Sequence, residues 1–211
     1  MTNAAAGGMS AARDAPAPLF VVLSGPSGAG KDSLLDELER RGHRFHRVIT
    51  CTTRPPRAGE RDGVDYYFVS DAAFDELIAS GGLLEHAQIY GHRSGVPRAQ
   101  VEEQLAAGVD VFVRTDVQGA ASIRKLAPRA VLVFVAPASL EELEARIRAR
   151  ATEDEERIAR RLAAARDEMA RQAEFDYVVV NAPGRLDRAA DRLEEILDAE
   201  RARPRAGGPL L

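Results

Sequence analysis

The stretch Leu19-Phe-Val-Val-Leu-Ser-Gly-Pro-Ser-Gly-Ala-Gly-Lys-Asp-Ser33 decides the fold. Its first six residues form a short apolar run, which predicts a strand buried on both faces. Gly25 to Lys31 follow the pattern G-x-x-x-x-G-K. Over Ser33 to Arg41, Leu34, Leu35 and Leu38 recur at helical spacing, and Gly42 is placed to end the helix. A glycine-rich loop that leaves a strand, enters a helix and ends in lysine is a phosphate-binding loop. Its glycines let the backbone wrap an anion and aim N–H groups at its oxygens. The helix N-terminus adds a positive field, and Lys31 brings a mobile charge to the β- and γ-phosphates of a nucleoside triphosphate. Gly25, Pro26, Ser27, Gly28, Ala29, Gly30, Lys31, Asp32 and Ser33 are therefore expected to bind ATP, with Lys31 catalytic.

Outward from this loop, strands and helices alternate. Val111 to Val113, Ala130 to Ala136 and Tyr177 to Val180 read as further strands. Helices are predicted around Phe74 to Ile78, from Ser139-x-x-Glu142 onward, from Ile158 to Met169 and from Leu186 to Leu197; the second opens with a capping box. This order predicts an α/β fold with a parallel sheet flanked by helices and right-handed crossovers. Residues 46 to 70 break the pattern with Arg54-Pro-Pro-Arg57, Ala58-Gly59 and Asp62-Gly63, the chemistry of an inserted, loop-rich subdomain. Residues 150 to 157 are polar and charged, the composition expected of a mobile segment. The Ala- and Gly-rich start, residues 1 to 17, and the end, residues 203 to 211, are expected to be tails.

Composition narrows the function. The 211 residues are 45% hydrophobic and 29% charged with a net charge of -4, which suits one α/β unit and lacks the basic footprint of a nucleic-acid binder. No apolar run approaches the roughly 18 residues needed to span a membrane. The single cysteine, Cys51, fits a reducing cytosol, and the N-terminus carries no signal-peptide core, so a cytoplasmic enzyme is expected.

One departure and one clamp stand out. The phosphate-loop pattern asks for Ser or Thr after the lysine, to contact Mg²⁺; here Asp32 stands there, with Ser33 next. Asp32 either complements the helix N-terminus or offers a carboxylate to Mg²⁺, directly or through water. Arg54 and Arg57, three apart on a Pro-stiffened loop, suit a phosphate clamp, as does a nearby phenol. An isolated R-x-x-R is otherwise a solvated basic loop.

Together these stretches resemble the guanylate kinase family: the phosphate loop, Thr50-Cys-Thr-Thr-Arg54-Pro-Pro-Arg57-Ala-Gly59-Glu60, Asp65-Tyr66-Tyr67-Phe68-Val69-Ser70, Gly82-Leu-Leu-Glu85-His-Ala, Asp116-Val-Gln-Gly119, Arg146-Ile-Arg-Ala-Arg150, Arg160-Arg161-Leu162 and Glu174-Phe-Asp-Tyr177-Val-Val-Val-Asn181. The resemblance spans residues 18 to 198. It implies Mg²⁺-dependent transfer of the ATP γ-phosphate to GMP or dGMP. By the same resemblance Arg54, Arg57 and Tyr66 hold the GMP phosphate, Glu85 reads the guanine edge, Thr50 lies near the base, and Asp116 lies near the acceptor and metal. Arg150 and Arg161 close with a lid, and Arg54, Arg150 and Arg161 join Lys31 in catalysis; Asp32 and Ser33 are the metal candidates. The implied organisation is a core of residues 18–46, 106–147 and 166–202, a GMP-binding subdomain of 47–105 and a lid of 148–165. The partners are ATP and GMP, with a monomer or homodimer as the assembly.

The pattern also departs from the family. Ser94-Gly95-Val96 replaces a Tyr-Gly-Thr or Tyr-Gly-Ser, with Tyr90 and Arg93 the nearby residues able to compensate. Arg114 replaces the first aspartate of D-x-D, and Ala151 follows Arg150 where the family favours Gly. Asp32 and Val96 also lean toward a relative, ribose 1,5-bisphosphate phosphokinase, but its baseless substrate would leave Glu85 without a task. A non-catalytic binding module of the same fold is the other alternative; the intact Gly25, Gly28, Gly30 and Lys31 argue against it.

Overall fold

The computed structural model describes residues 17–89, 91–150 and 155–203, with Ile89, Arg150 and Arg157 as backbone only. Most of both expected tails, Tyr90, residues 151–154 with Ala151, and the side chain of Arg150 lie outside the described residues.

The apolar run that opens the chain is β1 (Phe20–Ser24), fully buried along its length. It is the centre strand of a five-stranded parallel sheet. β7 (Val111–Arg114) and then β2 (His46–Arg47) lie to one side, and β8 (Val131–Ala136) and then β9 (Tyr177–Val180) to the other. Successive side chains leave a strand on opposite faces, so β1 feeds two cores. Val21 and Leu23 pack with Val133 and Val135 under α1 (Lys31–Arg40) and α7 (Leu186–Ala202). Phe20 and Val22 pack with Val111, Val113 and Leu132 under α3 (Arg98–Ala106) and α4 (Val117–Leu126). Burial on both faces is why β1 reads as a continuous apolar run. Truncating a side chain such as Leu35, fully buried beneath the sheet, costs about 2–5 kcal/mol.

Helix ends follow local chemistry. After α1, Gly42 has φ 93°, its N–H donates to Glu39 O at 3.0 Å, and His43 N–H donates to Leu38 O at 3.1 Å. That is a Schellman ending, which needs a residue at ease with positive φ. Ser139 caps α5 (Leu140–Arg150) by accepting from Glu142 N–H at 3.2 Å. The Glu142 carboxylate closes the cap on Ala138 N–H at 2.9 Å, one residue upstream of the expected box. α5 packs on α6 (Glu155–Ala170) through Leu143, Ile147, Ile158 and Ala165.

The loop-rich insertion contains more order than its composition predicts. β3 (Cys51–Thr52) and β4 (Tyr67–Phe68) pair with a hairpin, β5 (Leu83–Ile89) and β6 (His92–Pro97), as a second four-stranded sheet in the order β4-β3-β6-β5. α2 (Asp71–Ala79) covers it with Phe74, against Cys51 and Leu83. The hairpin alternation is interrupted by a register shift between Leu83 and Glu85. Among the described residues no helix is long and apolar enough to cross a membrane.

Candidate active site

In the parallel sheet Leu23 is in register with Arg114, so β1 and β7 end at the same level. Open α/β sheets bind ligands beyond the carboxyl ends of such strands. A cleft of about 600 Å³ lies there, lined by the phosphate loop, by residues of both sheets and by α6.

The phosphate loop is held by its own backbone and by two side chains from elsewhere. Gly25, Gly28 and Gly30 all have positive φ. A Cβ on Gly25 would sit 2.2 Å from Val135 O, and one on Gly30 would sit 2.3 Å from Asn181 Nδ2, so both positions exclude a side chain. Asn181 donates to Ala29 O at 2.9 Å. Arg146 donates to Asn181 O at 2.7 Å and reaches Gly28 O and Ala29 O at 3.5 and 3.4 Å. Arg146, expected in the core just before the lid, is thus a brace of the loop. Lys31 curls over the loop and donates to Gly25 O at 2.5 Å and Pro26 O at 3.2 Å. Burial pulls its ammonium down to about 8, against the attraction of Glu168. Arg161, from α6, donates to Ser27 Oγ at 3.0 Å, so this arginine already touches the loop.

Opposite the loop, Thr50, Tyr66, Glu85 and Ser94 face the same cleft. Glu85 is 7% exposed, and its Oε1 accepts the Thr115 hydroxyl at 3.0 Å. Its Oε2 is buried with no partner. Burial raises this carboxyl to about 7, with the Thr115 bond opposing and the nearby Asp116 charge adding to the rise. Gly119 explains the closing glycine of Asp-Val-Gln-Gly: a Cβ there would meet Thr115 Oγ1 at 2.0 Å and Glu85 Oε1 at 2.7 Å. Asp116 lines the cleft and also caps α4, its Oδ1 accepting Gly119 N–H at 2.7 Å.

The two clamp arginines differ. Arg57 lines the cleft. Arg54 makes a two-pronged pair with Glu60, both bonds at 2.9 Å, and its guanidinium lies 5.1 Å over the Tyr66 ring. Glu60 also accepts Arg57 N–H at 2.7 Å, which makes it the organiser of the loop. Of the family departures, Ser94 lines the cleft and Val96 is buried in the core. Arg93 stacks on Phe74 at 4.4 Å and pairs with Asp75 at 2.7 Å, so it serves α2 and not the cleft. Asp32 and Arg114, both in the cleft, form an ion pair with each other.

Thr115, Gly119 and Glu168 were not singled out in the sequence. Glu168, on α6, lines the cleft; burial raises its carboxyl, and its Oε2 is buried without a partner. Only the position of Thr115 and Gly119 within and beside the Asp-Val-Gln-Gly stretch hinted at their place.

Proteins of known family are similar to this chain in sequence and fold. The family model described as Guanylate kinase matches residues 18–200. A guanylate kinase of Thermobifida fusca is 50% identical over 171 residues, 81% of this chain and 87% of that protein. One of Gloeobacter violaceus is 46% identical over 193 residues, 92% and 93% of the two chains. The crystal structure of guanylate kinase from Anaplasma phagocytophilum superposes with a TM-score of 0.71 at 32% identity, covering 89% of this chain and 88% of that one. With a phosphate loop, a buried carboxylate facing it and relatives alike along nearly their whole length, the chain belongs to the guanylate kinase family, a family of ATP:GMP phosphotransferases.

Proposed function

We propose that this cleft carries out ATP + GMP ⇌ ADP + GDP, with dGMP as a second acceptor, through the following division of labour. The phosphate loop and Lys31 bind the donor phosphates. Lys31 leaves Gly25 O and Pro26 O for the β- and γ-phosphate oxygens, whose negative charge offsets the cost of burying its ammonium. Arg57 and Tyr66, with Arg54 once it leaves Glu60, hold the GMP phosphate in line. Glu85 accepts from the guanine N1–H and amino group, and Thr50 flanks the base. Arg161, and Arg150 eleven residues before it in sequence, bring positive charge onto the transferring phosphoryl group. The acceptor oxygen is already anionic, so no general base is required.

The observation that carries this reading is the unpartnered Glu85 Oε2 in the same cleft as Lys31. A buried acceptor without a donor is costly, and the guanine edge offers two donors side by side. A ribose bisphosphate would leave that carboxylate unsatisfied.

Mg²⁺ accompanies ATP in this chemistry. Asp32 and Ser33 line the cleft beside Lys31 and are hard oxygen donors of the kind it takes, so the residues present fit it. When bound it neutralises charge on the donor phosphates. Residues 47–105 and 148–165 are proposed to close as two mobile parts over the substrates, excluding water. The reaction belongs to cytoplasmic purine nucleotide metabolism.

The test is ADP release with ATP and Mg²⁺ and, separately, GMP, dGMP, AMP, UMP and ribose 1,5-bisphosphate. Turnover confined to GMP and dGMP is expected. Turnover confined to ribose 1,5-bisphosphate would overturn the reading, and silence with every acceptor would favour a binding module.

A further inference from the structure

Two side chains in the cleft carry charges that phosphate-loop enzymes do not ordinarily place there. The hydroxyl after the loop lysine and a carboxylate at the end of the adjacent strand normally share the metal. Here the first is Asp32 and the strand β7 ends in Arg114. They are 82 residues apart in sequence, yet Arg114 Nη1 donates directly to Asp32 Oδ1. The acid has moved from the strand to the loop, and a base has taken the place it left.

The pair is lopsided. The Asp32 side chain is 63% exposed, whereas the Arg114 side chain is 17% exposed. Arg114 Nε is buried and has no acceptor. A guanidinium presents five donors in a planar fork, and one exposed carboxylate oxygen leaves most of that capacity unused. Lys31, Arg57 and Arg161 line the same cleft as Arg114, so its guanidinium stands in a region already shaped for an oxyanion. A phosphate can offer a fork two oxygens at once, which one oxygen of Asp32 does not. Asp32 is exposed enough to swing into water at little cost.

We propose that Arg114 binds the phosphoryl group passing between the two nucleotides, and that Asp32 is the counter-ion that occupies Arg114 until phosphate displaces it. This rests on the phosphotransfer reading above. It makes the two departures from the family pattern one compensated exchange and adds a phosphate ligand from the rigid sheet to those on the moving parts.

The experiment measures calorimetric affinity for adenosine-(5′)-pentaphospho-(5′)-guanosine, which bridges both nucleotide sites, in EDTA so that no metal contact of Asp32 contributes. Guanosine, which lacks phosphate, is the control. Arg114→Gln is expected to bind the bridging ligand about 10- to 100-fold more weakly, the loss of a charge-assisted fork, with guanosine affinity unchanged. Asp32→Asn is expected to bind it several-fold more tightly, and that gain should shrink when Arg114→Gln is also present. Equal binding by wild type and Arg114→Gln would overturn the assignment. An Asp32→Asn gain of the same size in both backgrounds would overturn the counter-ion role. Should Arg114→Gln lose guanosine binding through misfolding, Arg114→Lys decides: weaker bridging-ligand binding with intact guanosine binding supports the proposal, and wild-type affinity for both rejects it. Wild-type protein that binds the bridging ligand no better than guanosine would instead overturn the phosphotransfer reading, a distinct result.

Discussion

The Thr115 hydroxyl donates to Glu85 at 3.0 Å across the join between the two sheets, leaving the other carboxylate oxygen of Glu85 buried and open. Thr115 follows the last strand residue of the core and Glu85 lies on the inserted hairpin. One bond therefore links the surface proposed to hold the donor to the surface proposed to read the acceptor. It also fixes which oxygen is left open.

The raised pKa of Glu85 predicts a pH dependence. Its carboxyl lies near 7 in the empty protein against 4.5 when free. Only the ionised form accepts both guanine donors, so GMP affinity should rise as pH increases through about 7. Stability runs the other way. A carboxyl whose folded pKa is raised contributes stability that is present below about 4.5 and lost as pH rises through about 7, a loss on the order of 3 kcal/mol. Glu85→Gln should flatten that part of the stability curve, leave the empty enzyme at least as stable at pH 8, and raise KM for GMP about 100-fold. Thermal unfolding at pH 5, 6, 7 and 8, alongside KM for GMP and AMP, checks all three; an unaltered preference for GMP removes Glu85 from base recognition.

Gly119→Ala should damage acceptor binding without touching the donor. The added methyl meets Thr115 Oγ1 at 2.0 Å and the Glu85 carboxylate below 3 Å, distances no rotamer change of alanine relieves. The expected outcome is a loss of about 1–3 kcal/mol of stability and a KM for GMP raised at least tenfold. KM for ATP should stay within twofold. If instead both KM values rise together, Gly119 supports the whole cleft and not the Glu85–Thr115 pair.

Lys31→Met removes the cation proposed to meet the donor phosphates, and turnover should fall by at least about 1,000-fold. Stability should not fall with it. A lysine whose folded pKa is depressed, here to about 8 from 10.5, contributes stability that is present above 10.5 and lost as pH falls through 8. At pH 7 the buried charge is therefore a burden, and the variant should match or exceed the wild-type melting temperature. Circular dichroism melts and single-turnover assays separate the two effects.

Much of this was legible in the sequence because the local signals agreed. The apolar run at Leu19, the glycine loop and the leucine spacing each point to strand, loop and helix. Gly42, Ser139 and Asp116 are helix-end residues that local chemistry explains. The hairpin of β5 and β6 was not legible. Its register shift beside Glu85 breaks the alternation, and α3 buries only Val101 and Leu105. Nor does sequence show who pairs with whom. That Arg54 rests on Glu60, that Arg146 serves the phosphate loop, and that Asp32 meets Arg114 are consequences of tertiary packing over 6, 118 and 82 residues.

Arg146 offers the sharpest test of positioning against catalysis. Its guanidinium bonds Asn181 O and reaches two carbonyls of the phosphate loop, while Glu142 pairs with it from one turn earlier on α5. Asn181 in turn donates to Ala29 O. The chain of contacts runs from α5 through the end of β9 to the loop, and by holding the loop carbonyls it is expected to keep the loop N–H groups free for phosphate. Arg146→Met keeps the stem and removes the fork. The loop should then sample conformations in which its N–H groups no longer converge, raising KM for ATP about tenfold and lowering kcat less than that. KM for GMP should not change, because no contact of Arg146 reaches the acceptor side. A lid arginine that touches the transferring group would show the opposite split, with kcat falling by 100-fold or more at nearly constant KM. Asn181→Ala should reproduce the Arg146→Met pattern, and the double variant should be no worse than the poorer single one, since both act through Ala29. Steady-state kinetics on the three proteins decide it: additive losses would mean that Arg146 reaches the substrate by a route of its own.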